Sequence, residues 1–254
     1  MSNFQKYARF YDLLYAQKDY GREANDVLDT LRKRQPSLTS LLELGCGTGG
    51  HARAFASEGL NVFGVDISPE MIALARSKSE ADSGPGNFSC TVGNICNFNS
   101  GRTFDAAVSL FHVMSYLTTD QAFVDALSNV ANQIDSGGQF LFDVWHKEAV
   151  LAQRPERRTR EIREALLYVS RTATPVLDSD RDCVVIDFDM VCEDLEMGHI
   201  DKFSERHVMR YFAPSDIIRF AKHVGFEVLE WQELISRKPA DETTWAVAYL
   251  LQKI

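Results

Sequence analysis

Long apolar runs are missing from this chain. No stretch of its 254 residues approaches the roughly 20 consecutive apolar positions of a membrane-spanning helix, so no membrane partner is expected. A positive excess is missing as well. The chain has 27 lysines and arginines against 36 acidic residues, a formal charge of -9. Phosphate binding draws on clustered cations, so this balance argues against a nucleic-acid partner. Cysteine is sparse: Cys46, Cys90, Cys96, Cys183 and Cys192 are odd in number and irregular in spacing. Neither a disulfide ladder nor a zinc motif is visible, no metal site is expected, and reduced thiols in a cytoplasmic protein are the simple reading. The segment from Met1 to Tyr7 is too polar for a secretory leader. Internal repeats and low-complexity stretches are absent.

What is present is ordinary globular composition, 45% hydrophobic and 25% charged, which at this length supports a large core without a staple. Residues 4–34 read as helices, with Tyr7, Phe10, Leu13 and Leu14 and then Val27, Leu28 and Leu31 at helical spacing, closed by Pro36. Strands and helices then alternate. Strands are expected at 41–44, 62–66, 88–92, 104–110 and 140–144, with helices at 48–57, from Pro69 behind a Ser68 cap, and at 120–134. Such alternation implies a parallel sheet with helices on both faces. Residues 150–212 break the rhythm. An arginine-rich stretch from Arg154 to Arg163, interleaved with glutamates, reads either as a solvated face or as a source of forks for a substrate phosphate. Alternating runs at 166–169, 183–191 and 207–212 then suggest antiparallel strands inserted in the sheet order. A helix from Pro214 to about Val224 and strands at 226–231 and 245–251, a candidate edge hairpin, end the chain. No linker separates a second domain. The expected organisation is a single domain over 1–254, with about 1–36 a helical cover and about 150–212 an inserted β subdomain or lid.

Glu43-Leu44-Gly45-Cys46-Gly47-Thr48-Gly49-Gly50 lies between the first strand and the first helix of this alternation. Glycine permits a positive φ and lets a ligand approach without meeting a Cβ. The carboxyl end of the first strand is also where open α/β sheets bind ligands. Gly45, Gly47 and Gly50 fit a dinucleotide pattern too, so a nicotinamide-dependent dehydrogenase is a rival. Asp66 ends the second strand, where a carboxylate can accept both hydroxyls of a ribose; its plain alternative is a turn or cap.

Residues 43–49, together with Val65-Asp66-Ile67-Ser68-Pro69-Glu70-Met71, resemble motif I and the following region of class I S-adenosylmethionine-dependent methyltransferases, over a core of about residues 38–145. The resemblance implies an α/β fold with a Rossmann-like, mostly parallel seven-stranded sheet, helices on both faces and an inserted antiparallel β lid. It implies S-adenosyl-L-methionine as cofactor, with Gly45 and Gly47 along the methionine moiety and Glu43 orienting the loop or the amino group. Asp66 would hold the ribose, with Ile67 beside it, and Met71 would pack on adenine. Asn94, followed by Ile95, stands where the family often has aspartate and keeps a carbonyl acceptor for the adenine amino group. Ser109 and Leu110 would flank the transferred methyl.

Tyr7, Tyr11, Tyr15 and Tyr20 precede the first strand; tyrosine on a helix is commonly half-buried packing. Tyr11-Asp12-Leu13-Leu14-Tyr15, Lys18-Asp19-Tyr20 and Arg22-Glu23 also resemble bacterial small-molecule methyltransferases that include sugar N,N-dimethyltransferases, which modify nucleotide-linked amino sugars. That likeness continues at Phe111-His112-Val113-Met114-Ser115-Tyr116 and more loosely at His207-Val208-Met209-Arg210-Tyr211. It implies that Tyr11 or Tyr20 closes over the methionine end. His112 and Tyr116, just past the fourth strand, are the candidate catalytic residues. Trp145 could wall the acceptor pocket and Arg210 could bond a polar ring. The plain alternatives are that His112 faces a helix or backbone carbonyl and that Trp145 only packs. No residue announces itself as a strong base, which tilts the reading toward an amine over a hydroxyl. The expected partner is a small-molecule acceptor, with a homodimer allowed. O- or N-methylation of another metabolite and a non-enzymatic binding module remain alternatives.

Overall fold

The computed structural model describes residues 7–80, 82 and 84–254; the expected helical segment at 4–6 lies outside them. Helices α1 (Ala8–Leu14) and α2 (Tyr20–Arg32) come first. The alternation follows as β1 (Ser40–Leu44), α3 (Gly50–Ser57), β2 (Asn61–Asp66), α4 (Pro69–Ser79), β3 (Asn87–Val92), β4 (Phe104–Ser109), α5 (Asp120–Ala131) and β5 (Ile134–His146). Helix starts are set by side chains that accept an orphan backbone N–H: Asp19 from Arg22, Ser68 from Met71, and Thr119 from Ala122.

Strands β3-β2-β1-β4-β5 pair in parallel in that order. They are apolar on both faces, as a sheet covered twice requires. Because successive side chains alternate, Leu42, Leu44, Ala107, Phe140, Phe142 and Val144 pack with α5 and α7 (Pro214–His223). Leu41, Val62, Ala106, Val108 and Leu141 point the other way, into a cluster with α2, α3 and α4.

Beyond β5 the chain forms α6 (Lys147–Gln153), β6 (Arg158–Glu164), β7 (Leu167–Asp178), β8 (Cys183–Asp194) and β9 (Ile200–Phe212), and after α7 it ends in β10 (Phe226–Gln232) and β11 (Ala246–Lys253). Strands β6–β9 pair as an antiparallel ribbon. Among the described residues the ribbon pairs with β5 where Trp145 and His146 meet Tyr211 and Phe212, past the end of the β4 ladder at Phe142. Strand β11 lies antiparallel on β5, and β10 on β11.

The expected seven strands are therefore joined by four more, and the hydrogen-bonded sheet has eleven among the described residues. The difference comes from the ribbon, which shares a short ladder with β5, and from β6, which falls within the arginine-rich stretch. In β6 only Arg160 and Ile162 are half-buried and the rest is exposed. A charged edge strand of this kind resists pairing with other chains and carries almost no hydrophobic alternation to read. The helix expected at 120–134 stops at Ala131, and Ile134 already belongs to β5.

The ribbon is held by side chains from outside it. Tyr7, Phe10 and Leu14 of the N-terminal segment bury against Val169, Met190 and Cys192. Val150 of α6 packs with Val184, Ile186, Met209 and Tyr211. No helix among the described residues is long and apolar enough to cross a membrane.

Phe123 of α5 is fully buried and meets the rings of Phe142, Phe212 and Phe220 at centroid distances of 5.9, 4.8 and 5.3 Å, so it ties sheet, ribbon end and α7 together. Phe123→Ala is expected to lower unfolding stability by about 3–5 kcal/mol, read from urea denaturation, because the cavity it leaves has rigid walls on three sides.

Candidate functional site

At the end of β1 the backbone turns on glycine. Gly45 and Cys46 donate to the carbonyl of Val65 at 2.7 and 3.1 Å, fastening the loop to the end of β2. Gly45 and Gly47 have φ of +72° and +54°. A Cβ on Gly45 would collide with Val113, whereas one on Gly47 would project into open space. Asp66 braces the turn: one carboxylate oxygen accepts from Gly47 N at 2.9 Å and the other from Ser68 N at 2.9 Å. Burial pushes the Asp66 carboxyl up, and the N–H groups of Ser68, Gly47 and Ile67 only partly offset it.

Behind the loop, Glu43 is fully buried and its Oε2 has no hydrogen-bond partner. Burial, aided by the charge of Asp66, raises its carboxyl to about 8. His51 of α3 places Nδ1 4.0 Å from Glu43 Oε1 and Nε2 2.7 Å from Glu23 Oε2. Lys18 closes the chain on Glu23 at 2.5 Å. Burial lowers the His51 imidazole despite Glu23; burial would raise Glu23, but His51 and Lys18 hold it below its ordinary value. The ring of Tyr20 stands edge-on to His51 at 4.8 Å.

These groups line one end of a cavity of about 640 Å³. Every residue singled out as a cofactor contact is in its wall: Tyr11, Tyr20, Glu43, Gly45, Gly47, Asp66, Ile67, Met71, Asn94, Ile95 and Leu110. Asn94 Oδ1 already accepts from Cys96 N at 2.9 Å, which leaves its second lone pair. The candidate catalytic pair His112 and Tyr116 and the wall residue Trp145 line the same cavity.

Two expectations are not met. Ser109 is buried away from the cavity, its hydroxyl donating to Leu44 O at 3.0 Å. Arg210 turns to Asp120 at 2.7 Å over the ring of Phe212, because an exposed carboxylate at the start of α5 is the closest charge to satisfy it. The arginines between 154 and 163 follow the solvated-face reading: all but Arg160 are exposed, and none reaches the cavity wall, since the edge strand β6 lies at the far side of the ribbon.

At the other end, Tyr116 Oη and His207 Nδ1 are 2.8 Å apart. Glu205 accepts from Tyr7 N at 3.2 Å, and Arg171 of β7 donates to Tyr7 Oη and Tyr15 Oη at 2.6 and 2.9 Å. His112 does not face a helix or a backbone carbonyl. Its Nδ1 is 2.5 Å from Asp143 Oδ2, and its backbone N donates to Asp143 Oδ1 at 3.1 Å. Burial pushes the Tyr116 phenol well up, so it is not a base at neutral pH.

His51, Asp143, Arg171 and the partnering role of His207 escaped the sequence reading. Asp143 carried a signal: a lone charge inside the apolar run Phe140-Leu141-Phe142-Asp143-Val144. His51 and Arg171 carried none, because their partners are far along the chain. Among the described residues no cluster of metal-ligating side chains is present.

Comparison with known proteins adds to this geometry. Residues 41–138 match a family model described as a methyltransferase domain. A relative from Streptomyces venezuelae, named as dTDP-3-amino-3,4,6-trideoxy-alpha-D-glucopyranose N,N-dimethyltransferase, is 33% identical over 141 residues, covering 55% of this chain and 57% of that protein. The chain thus spans about half the length of the curated relatives it first matches. A crystal structure of a S-adenosylmethionine-dependent methyltransferase from Clostridium acetobutylicum shares the fold with a TM-score of 0.81 at 23% identity, over 99% of each chain. The crystal structure of DesVI from Streptomyces venezuelae superposes with a TM-score of 0.78 at 25% identity, over 96% of this chain and 97% of that one.

Glu43 generates a test of the site's electrostatics. Its carboxyl titrates near 8 when folded and near its ordinary value of 4.5 when unfolded, so between these the folded state holds the extra proton. Its contribution to stability is present below pH 4.5 and is lost as pH rises toward 8. Glu43→Gln removes this term. The melting temperature of the variant relative to the native chain, followed by calorimetry without ligand, is expected to rise from pH 5 to pH 8.

Proposed function

We propose that residues 41–138, which match a methyltransferase domain, bind S-adenosylmethionine as in class I methyltransferases, and that the chain catalyses methyl transfer to the amino group of an amino sugar carried on a nucleotide. One observation carries the reading. A single continuous cavity runs from the glycine loop to the His112 and Tyr116 end, so two ligands can meet in it. Relatives named as nucleotide-sugar N,N-dimethyltransferases support the acceptor class.

The residues fit the cofactor. Open space at Gly47, an unpartnered oxygen on buried Glu43, and spare lone pairs on Asp66 are the features a ligand with a backbone-close chain, an ammonium and a ribose would use. In this reading Gly45 and Gly47 lie along the methionine part, and Glu43 orients the loop or the amino group. Asp66 takes the ribose hydroxyls beside Ile67. Met71 and Ile95 hold the adenine, whose amino group meets Asn94, and Leu110 stands by the methyl. When bound, the cofactor supplies a methyl group already activated on a sulfonium.

The chain's own task is to align and to exclude water; alignment alone supplies on the order of 7–11 kcal/mol in favourable cases. Tyr11 of α1 and Tyr20 of α2 close the cofactor end as a cover. The inserted strands of about 150–212, within the same single domain, wall the acceptor as a lid through Ile186, Phe188 and Met209. Tyr116, bonded to His207 and not ionised, orients the acceptor. A hydroxyl acceptor is the second reading, because the imidazole of His112 beside Asp143 would also serve an oxygen nucleophile.

The test is an assay of the purified chain against nucleotide-linked amino sugars and matched sugars carrying hydroxyl in place of amine. Methylation of the amines is expected. Methylation of the hydroxyl analogues alone would refute nitrogen chemistry. Silence across the panel with turnover on an unrelated metabolite would remove the sugar.

A further inference from the structure

Phe111 and His112 are consecutive non-glycine residues in the left-handed region, with φ of +65° and +64°. Side chains there are strained, and two in a row need a framework that imposes them. The framework is visible. The Phe111 ring is held by Tyr15, edge-on at 5.0 Å, and by Lys18, whose Nζ stands 4.3 Å from its centroid. His112 is held by one carboxylate twice, through its backbone N–H and through its ring. Asp143 is nearly sealed from solvent. Burial would raise its carboxyl, but the charge and hydrogen bonds of His112 outweigh burial and hold it below its ordinary value. A carboxylate 2.5 Å from Nδ1 favours the tautomer with its proton there, which leaves the lone pair on Nε2. Nδ1 stands at ion-pair distance from Asp143 Oδ2 but off the line of a hydrogen bond, whereas Nε2 is not among the buried unpartnered atoms and, among the described residues, accepts no hydrogen bond; His112 lines the cavity.

We propose that Asp143 is a positioning residue that fixes His112, by tautomer, ring orientation and backbone, as the proton acceptor for the incoming acceptor amine; this rests on the amino-acceptor reading above. An alkyl amine arrives largely as ammonium at neutral pH and cannot attack until one N–H bond breaks. The proton passes to Nε2, the electron pair of that bond stays on the amine nitrogen, and the imidazolium formed is balanced by the Asp143 carboxylate. The proton then leaves Nε2 to water. Other titratable groups around the pair are His51 of α3, which the Asp143 charge also reaches, Tyr15 and Lys18 against Phe111, and Tyr116 four residues on. Among the described residues none of them bonds His112, so Asp143 is the group placed to set its tautomer.

Two readouts test this. In the full chain labelled with 15N-histidine, and with His112 assigned by the loss of its signals in His112→Gln, the ring is expected to show a proton on Nδ1 in the native chain and to lose that preference in Asp143→Asn. A proton on Nε2 in the native chain, or an unchanged tautomer in Asp143→Asn, would overturn the proposal. In steady-state kinetics with a nucleotide-linked amino sugar that the native chain methylates, Asp143→Asn is expected to lower kcat/KM at neutral pH by about tenfold to hundredfold. The deficit should shrink as pH rises and the amine arrives neutral. A deficit that does not change with pH would make Asp143 merely structural. If no amino sugar turns over, the acceptor reading fails and the proton-transfer role falls with it, while the histidine spectra still decide whether Asp143 orients His112.

Discussion

The Asp66 carboxylate accepts the N–H of Gly47 with one oxygen and that of Ser68 with the other, at the point where β2 ends. Those two bonds connect the glycine loop after β1 to the start of α4, and the Val65 carbonyl adds a second tie to the same loop. A left-handed glycine turn has little of its own to hold it, since glycine loses more conformational freedom on ordering than any other residue. The carboxylate supplies the missing constraint. The cavity depends on it, because a loop free to collapse would fill the space that the absent Cβ of Gly47 leaves open.

Around that turn the charges are arranged in two separate acidic groups. Glu43 and Asp66 stand together in the wall, each pushed upward by burial. Glu23 is tied down by His51 and Lys18, and Asp143 by His112. The first group keeps unmet capacity on a buried oxygen and suits a cationic ligand. The second is satisfied within the protein and suits fixed positions for imidazoles. The aromatic side chains between them, Tyr11, Tyr15, Tyr20 and Phe111, are held by cations and by each other, and so form a wall that can exclude water without presenting a charge of its own.

The alternating segments up to Val144 were legible because both faces of the parallel strands are buried and their ends are marked by glycine, aspartate or a capping serine. The glycine loop and Asp66 were legible because their neighbours in space are neighbours in sequence, within one strand-loop-strand unit. What escaped depends on distance along the chain. Arg171 meets Tyr7 and Tyr15 across more than 150 positions, and Asp143 meets His112 across 31. Strand β6 escaped because an edge strand covered in charge has little apolar pattern. Arg210 drew attention by standing in a recognisable segment, yet its nearest demand was Asp120, and the shortest ion pair decided its direction.

Calorimetric titration with S-adenosylhomocysteine tests the cleft most directly, comparing the native chain with Asp66→Ala. The account predicts binding to the native chain and a loss of about 1–3 kcal/mol in the variant, the scale of hydrogen bonds to a charged group. Equal affinity in a folded Asp66→Ala protein, or binding of NAD in preference to S-adenosylhomocysteine, would contradict it.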